Sequence, residues 1–274
     1  ELLSYSGDKR VRVYMFRCLA KGLRALSLKH RQDSLSQNTI TYIYRSALHR
    51  EEDIWIQTEA LELLDVLSSD ALARAVHKRL YEPREGDEFF VRGRAARLLG
   101  KNVQRFPELE GLLPFVLHDP SAYVRQALAW SLAETGTEYA LKQLQRLVLE
   151  DESEKVRVYA VCQAGRLLGL GDWALGIFVK VFDSEKDSLV LRTALRCYRE
   201  KVCECAENKD QERAADLFYE VLPAILRLHQ YAQSTAVRRW AAQAREKMQI
   251  FVQEKSFKVY KELGLQLEKM GKRK

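Results

Sequence analysis

The stretch Asp119-Pro-Ser-Ala-Tyr-Val-Arg-Gln-Ala-Leu-Ala-Trp-Ser-Leu-Ala133 decides the fold of this 274-residue chain. Asp119-Pro120 is a typical helix start, because aspartate accepts hydrogen bonds from free N–H groups and proline fits the first helical position. Val124 and Leu128 then follow at helical spacing. The stretch therefore predicts one helix with an apolar face.

Similar stretches recur along the chain, and each contains an apolar residue followed by Arg or Gln. The seven pairs are Val11-Arg12, Ile56-Gln57, Val91-Arg92, Val124-Arg125, Val156-Arg157, Leu191-Arg192 and Val237-Arg238. Successive pairs lie 45, 35, 33, 32, 35 and 46 residues apart. Repeats of this length with two helices each are the signature of an α-solenoid. We therefore predict an all-α protein, a right-handed α-solenoid of about seven helix pairs.

Three positions of the repeat have a structural explanation. An acidic residue such as Asp119 precedes the Arg in most repeats, where it caps the helix and faces the positive end of its dipole. An alanine such as Ala127 follows the apolar residue, turns to the same face and lets the paired helix approach closely. We predict that the Arg reaches an Asp of its own or a neighbouring repeat and is structural rather than a ligand contact.

These repeated residues resemble the HEAT-repeat family, particularly its short phycobilisome-lyase-like units. The resemblance is closest over residues 87–100, 119–136 and 151–169. It implies stacked helix pairs, whereas such a fold does not by itself imply a function. The first two repeats and the last are degenerate, since Gln57 replaces the Arg and Ser234 replaces the Asp.

The chain shows no linker of low complexity, so we predict one solenoid domain over residues 1–274. The clearest repeats span residues 87–182, and degenerate repeats span residues 1–68 and 208–253. A basic helix over residues 255–270 is predicted to follow. Because the sequence begins with Glu1 inside a repeat, we expect it to be a piece of a longer chain.

The net charge of +7 lies at the two ends of the chain. Residues 1–50 carry a net +7 and the last 24 residues a net +4, whereas residues 101–250 are balanced. A protein that follows a phosphate backbone along its length is usually basic throughout. We expect solvated basic termini, and nucleic-acid binding through them stays open.

Catalytic and cofactor-binding motifs are not recognisable, so we predict a non-enzyme without cofactor. The five cysteines lack framework spacing, which favours a reducing cytoplasm. We predict no metal site, because Cys203 and Cys205 point about 200° apart on one helix. No window approaches the roughly 18 apolar residues of a membrane span, so we predict none.

The candidate binding site follows from helical geometry. If the apolar residue of each pair points to the core, the residues two, five, six and nine positions later point away from it. In HEAT-like stacks this is the concave face, which commonly binds ligands. Ala129 and Val161 would lie on it as small apolar residues. The candidate site residues are Arg97, Gln126, Trp130, Val158, Cys162 and Arg196.

An exposed apolar patch with an aromatic anchor is typical of a peptide or protein docking site. Trp130 would be that anchor, with Arg97 and Arg196 on either side, unless another element covers the face. Trp55 and Trp240 adjoin the repeat cores, and we expect them to be packing residues.

Three classes of function remain. We favour a non-catalytic scaffold for a protein or peptide partner. The alternative is nucleic-acid binding, since HEAT-like alkylpurine DNA glycosylases hold duplex DNA on such a solenoid, and the basic termini and Arg238-Arg239-Trp240 support it. The phycobilisome-lyase-like label also suggests a bilin lyase, although no residue here carries that chemistry.

Overall fold

The computed structural model describes residues 7–27, 30–31, 34–49, 52–81, 89–168 and 172–252. These residues form thirteen α-helices, one 3₁₀ helix and no strand, which confirms the all-α prediction. The helices up to residue 135 are α1 (Lys9–Arg24), α2 (Gln37–Leu48), α3 (Ile54–Leu67), α4 (Asp70–Tyr81), α5 (Phe89–Asn102), the 3₁₀ helix (Pro107–Leu112), α6 (Leu113–Leu117) and α7 (Ala122–Thr135). The others are α8 (Glu138–Glu150), α9 (Glu154–Arg166), α10 (Asp172–Ser184), α11 (Ser188–Glu207), α12 (Gln211–Tyr231) and α13 (Thr235–Phe251).

The chain divides into two compact units, the first ending at Gln143 and the second beginning at Leu144. We call the helix that carries the apolar–Arg or apolar–Gln pair of each repeat its B helix. In the first unit, the B helices α1, α3, α5 and α7 pack in succession. The helices α2, α4 and α6 and the 3₁₀ helix form the second layer. In the second unit, α9, α11 and α13 pack in succession beside α10 and α12. Each unit is thus a stack of helix pairs, as the repeat period predicts.

Some predictions about the architecture are not tested by these residues. The right-handed turn, the total of seven pairs and the single domain over residues 1–274 stay predictions. The predicted basic helix over residues 255–270 lies outside the described residues. No helix in the described part of the chain is long and apolar enough to cross a membrane.

Aspartate caps three of the B helices, as predicted: Asp8, Asp53 and Asp187 each accept a hydrogen bond from a backbone N–H two residues later, at 2.8–2.9 Å. The prediction for Asp119 and Pro120 was wrong, because α7 begins at Ala122 with Ser121 as its N-cap residue. Asp119 and Asp151 instead accept from the N–H groups of the N-cap serines Ser121 and Ser153, at 2.8 and 2.9 Å, and so order the turn before the helix. In the degenerate last repeat, Ser234 caps α13 instead.

The apolar positions of the repeat form the core. Val91, Val124 and Val156 are completely buried. The prediction for Ala127 was wrong, because Leu128, four residues after Val124, is completely buried while Ala127 is only half-buried. One helical turn closes after 3.6 residues, so position four aligns better with the core than position three.

Three of the repeated Arg residues join one repeat to the next through a carboxylate, although two of them reach Glu rather than the predicted Asp. Arg92 binds Asp119, Arg157 binds Glu185 and Arg12 binds Glu52, each through two hydrogen bonds. Gln57 makes a different contact, since it accepts a hydrogen bond from the buried Arg79, which also donates to the carbonyl of Ala47. These contacts explain the Arg position without a ligand.

Candidate functional site

The B helices of the first unit place two rows of side chains on one face. Trp55, Phe90 and Tyr123 lie at the starts of α3, α5 and α7, one residue before the apolar core position of each repeat. We call these three residues the aromatic row. A second row, Glu62, Arg97 and Trp130, lies seven residues later on the same side of each helix, about 10 Å further along it. Because two of its three residues are charged, we call it the charged row.

The aromatic row is a continuous and exposed strip. The ring centroids of Trp55 and Phe90 are 6.3 Å apart, and those of Phe90 and Tyr123 are 5.3 Å apart. Phe89 extends the cluster, with its ring 4.2 Å from that of Phe90. The exposed fractions of Trp55, Phe90 and Tyr123 are 52%, 36% and 45%. Large apolar side chains grouped and exposed in this way are uncommon on a protein without a partner.

A glycine fixes one end of the row. Tyr123 lies directly over Gly93 of the preceding B helix, so closely that a Cβ on Gly93 would overlap the tyrosine ring. The absence of a side chain at Gly93 therefore allows the ring to approach α5 closely. This contact holds Tyr123 beside Phe90 rather than leaving it free in solvent.

The charged row contains an uncompensated cation. The guanidinium of Arg97 lies 4.5 Å from the centroid of the Trp130 ring, a cation–π contact. In the described residues no carboxylate is paired with Arg97, which is exposed. Glu62 is shared by two cations, Arg24 at 3.3 Å and Arg94 at 2.6 Å. The face therefore carries an excess of positive charge next to the aromatic row.

The predicted site residues fall into both units and are not all alike. In the first unit, Arg97 and Trp130 are brought together, and Gln126 is half-buried one turn before Trp130. In the second unit, Arg196 lies against Cys162, with 4.0 Å between its Nη2 and the sulfur, and Val158 is half-buried one turn earlier.

The small apolar residues expected on the open face are not exposed. Ala129 and Val161 are buried. The reason is that successive B helices pack directly against each other, as Gly100 does against Ser131, whose hydroxyl accepts the Gly100 N–H. A helix with neighbours on two sides and a partner beneath buries more than one stripe of its surface. The open part of the face is therefore narrower than predicted.

The prediction for Trp55 was wrong, since half of this side chain is exposed in the aromatic row. Trp240 is half-buried, and the guanidinium of Arg192 covers its ring at 5.0 Å. Arg238 donates to the carbonyl of Ala232 at 2.7 Å. Arg238 and Trp240, which support the nucleic-acid alternative, are thus engaged in contacts within the fold.

The second unit contains a pair of cysteine thiols in contact. Cys197 donates a hydrogen bond to Cys162, and this bond, with the charge of Arg196, lowers the pKa of Cys162 to about 6 although burial opposes the shift. The same hydrogen bond raises the pKa of Cys197 above its usual range. All five cysteines are unpaired, and the described residues contain no group of three or more metal-ligating side chains.

An open pocket of about 790 Å³ lies between the loops that precede α11 and α13. Most of its charged residues are already engaged: Arg227 binds Asp183 at 2.6 Å, Glu185 binds Arg157 and Asp187 caps α11. Lys186 also lines the pocket and is exposed.

A family model matches part of the chain. Residues 84–162 and, overlapping them, residues 109–199 match the family model for HEAT repeats. No curated protein matches the chain in sequence. The matched residues include α5, α7, α9 and α10 and reach into α11, so the repeat pattern read from Asp119 agrees with the family's own. Residues 84–199 therefore match HEAT repeats, which is consistent with a HEAT-repeat protein.

Proposed function

We propose that the protein is a non-catalytic scaffold that binds a peptide segment of a partner protein on the B-helix face of its first unit. HEAT repeats generally serve as protein-interaction scaffolds. The observation that carries the proposal is the aromatic row, three exposed rings from three successive repeats in which Phe90 contacts both of the others. Aromatic side chains dominate the binding energy of protein interfaces.

The spacing of the row fits an extended peptide. Alternate side chains of an extended chain point to the same side and are about 7 Å apart. The centroid distances of 6.3 and 5.3 Å along the row are close to that value. Apolar side chains at alternate positions of a peptide would therefore each meet one gap between the rings.

The charge of the face selects an acidic partner. Arg97 has no carboxylate partner in the described residues, and the two cations on Glu62 leave further positive charge. An acidic side chain of the peptide, about 10 Å from the apolar anchors, would reach Arg97. The expected ligand is thus a peptide with alternating apolar residues and at least one carboxylate beside them.

A displayed library of random peptides tests this proposal. We expect selection on the protein to enrich peptides that combine alternating apolar residues with Asp or Glu. The matched control is selection on Trp55→Ala/Phe90→Ala/Tyr123→Ala, which should not enrich them. Enrichment of the same peptides on both proteins, or no enrichment on either, would overturn the proposal.

Nucleic-acid binding stays a prediction and is distinguished by competition. Random duplex DNA should leave the selected peptide bound at moderate salt. Displacement that falls steeply with salt concentration would favour the nucleic-acid alternative, because phosphate binding releases counterions. We also propose a cytoplasmic location, for which the five unpaired cysteines are the support.

A further inference from the structure

Cys162 and Cys197 lie on adjacent B helices of the second unit. Cys162 is on α9 and Cys197 on α11, and each thiol shifts the pKa of the other. Gly165, one turn after Cys162, creates the room for Cys197. A Cβ on Gly165 would lie 3.0 Å from Cβ and 3.5 Å from Sγ of Cys197.

A cation faces the pair from one side. The Nη2 atom of Arg196 lies 4.0 Å from Sγ of Cys162. Both cysteines are half-buried, whereas Cys205 is buried. In the described part of the chain, no further His, Cys, Asp or Glu joins the pair to form the group of three that a metal site needs. Its chemistry is therefore that of a dithiol.

We propose that Cys162 and Cys197 are a peroxide-reactive dithiol, in which Cys162 is oxidised first and Cys197 then closes a reversible disulfide between α9 and α11. The site takes hydrogen peroxide or a small organic hydroperoxide as its oxidant. It lies in the second unit, and its chemistry does not depend on peptide binding.

The two sulfurs have different roles. Hydrogen bonding by Cys197 and the charge of Arg196 favour the thiolate of Cys162, the form that attacks an oxidant. Cys197 retains its proton while it donates to this thiolate. Once Cys162 is oxidised, the negative charge that holds the proton on Cys197 is gone, and Arg196 remains to favour the second thiolate.

The reaction balances without further reagents. The Cys162 thiolate attacks one peroxide oxygen, the O–O bond breaks, and hydroxide leaves and takes up a proton as water; the sulfur becomes a sulfenic acid. Cys197 then attacks this sulfur, the S–O bond breaks and the proton of Cys197 leaves with the hydroxyl as a second water. Two thiols are oxidised to one disulfide, and one peroxide is reduced to two waters. A thiol such as glutathione reverses the disulfide by exchange.

Peptide mapping after peroxide treatment tests the proposal directly. The intact protein is treated with one equivalent of hydrogen peroxide, alkylated and digested with trypsin under non-reducing conditions. We expect peptide 158–166, with Cys162, to be linked to peptide 197–199, with Cys197, and dithiothreitol to separate them. Peptide 18–21 carries the exposed Cys18 and reports on non-selective oxidation in the same sample.

Two variants assign the order of events. Cys197→Ser should accumulate a sulfenic acid at Cys162 that dimedone traps, whereas Cys162→Ser should leave Cys197 reduced. The melting temperature of each variant checks that it folds. The proposal is overturned if both thiols of the wild-type protein stay alkylatable when Cys18 is oxidised, or if Cys162 links to a different cysteine.

Discussion

Arg92 and Asp119 form a buried bidentate ion pair that joins two successive HEAT repeats. The Nε and Nη2 atoms of Arg92 lie 2.9 and 3.1 Å from the two carboxylate oxygens of Asp119. Both side chains are less than a tenth exposed. Asp119 also accepts from the N–H of Ser121, and its carbonyl accepts from Arg125 at 2.8 Å. Asp119 thus orders the turn before its own helix and fixes it to the preceding repeat.

The stability of the first unit should depend strongly on this pair. Asp119→Ala leaves the Arg92 guanidinium buried without its carboxylate, and removal of one partner from a buried pair costs about 3–5 kcal/mol. Arg92→Met together with Asp119→Leu removes both charges and should recover most of the loss. Unfolding in urea, followed by circular dichroism, measures these differences in the free energy of unfolding.

Arg94→Gln is the matched control for that experiment. It breaks a half-exposed ion pair with Glu62, and such pairs contribute about 1 kcal/mol or less. If Asp119→Ala lowers the free energy of unfolding as little as Arg94→Gln does, the buried pair does not hold the repeats together.

Two glycines of α5 should respond differently to alanine. A Cβ on Gly100 would overlap the backbone carbonyl of Ser131, which cannot move without shifting α7. We expect Gly100→Ala to lower the free energy of unfolding by about 2–3 kcal/mol, as overpacked cores do. At Gly93 the overlap is with the Tyr123 ring, which can rotate away.

Gly93→Ala should therefore cost much less stability, and alanine's higher helix propensity offsets part of the cost. Gly93→Ala should instead weaken the binding of a selected peptide, because the displaced Tyr123 leaves the aromatic row. Equal destabilisation by the two substitutions in a urea titration would contradict the difference between backbone and side-chain overlap.

Arg97 should control the preference for acidic peptides. Arg97→Gln removes the cation over Trp130 and should weaken an acidic selected peptide about tenfold, a typical loss for a charge-assisted contact. A version of the same peptide with Asn or Gln in place of its acidic residues should bind the wild type and Arg97→Gln with the same affinity. Fluorescence anisotropy of labelled peptides measures both. An equal loss for both peptides would assign Arg97 a packing role.

Alkylation of Cys162 should follow an unusual pH profile. Cys162 faces Cys197, Arg196 and Glu200, and its pKa is lowered to about 6, so its thiolate forms as the pH rises through 6. The rate with iodoacetamide should be half-maximal near pH 6 and level off by about pH 7.5, whereas glutathione in the same tube, with an ordinary thiol pKa of about 8.5, is still rising.

Arg196→Gln should shift this profile upward by at least about half a pH unit, because the cation favours the thiolate. The rate is followed by mass spectrometry of peptide 158–166. A wild-type midpoint above about pH 8 would contradict the hydrogen bond from Cys197 and the role of Arg196.

The sequence predicted the helices and their caps because both depend on local residues. Asp53, Asp187 and Ser234 cap helices where their positions in the repeat indicated. The seventh repeat was aligned correctly on Val237, which is buried. The sixth was aligned on Leu191, one residue after the position that corresponds to the core valine of the other repeats. Val190 is completely buried, and Arg192 points outward over Trp240. Neighbouring apolar residues Val190 and Leu191 made the two registers indistinguishable from sequence.

The arrangement of side chains on the B-helix face of the first unit was predicted only in part. Arg97 and Trp130 are in contact, as their equivalent positions six residues after Val91 and Val124 suggested. The aromatic row lies one heptad earlier on the same side and was missed because positions before the valine were not considered. Extension of the same spacing to them would have found Trp55, Phe90 and Tyr123. The burial of Ala129 depends on contacts between helices that no single repeat encodes.

The affinity of a selected acidic peptide, measured by isothermal titration calorimetry, tests the central claim most directly. Exposed aromatic anchors each contribute about 2 kcal/mol to binding, so Trp55→Ala/Phe90→Ala/Tyr123→Ala should raise Kd at least about a hundredfold. The matched control, Tyr81→Ala/Phe115→Ala, removes the exposed aromatic pair contributed by α4 and α6 and should change Kd less than about twofold. Equal affinity for the wild type and the triple variant, or an equal loss in the control, would contradict the assignment of the aromatic row as the docking surface.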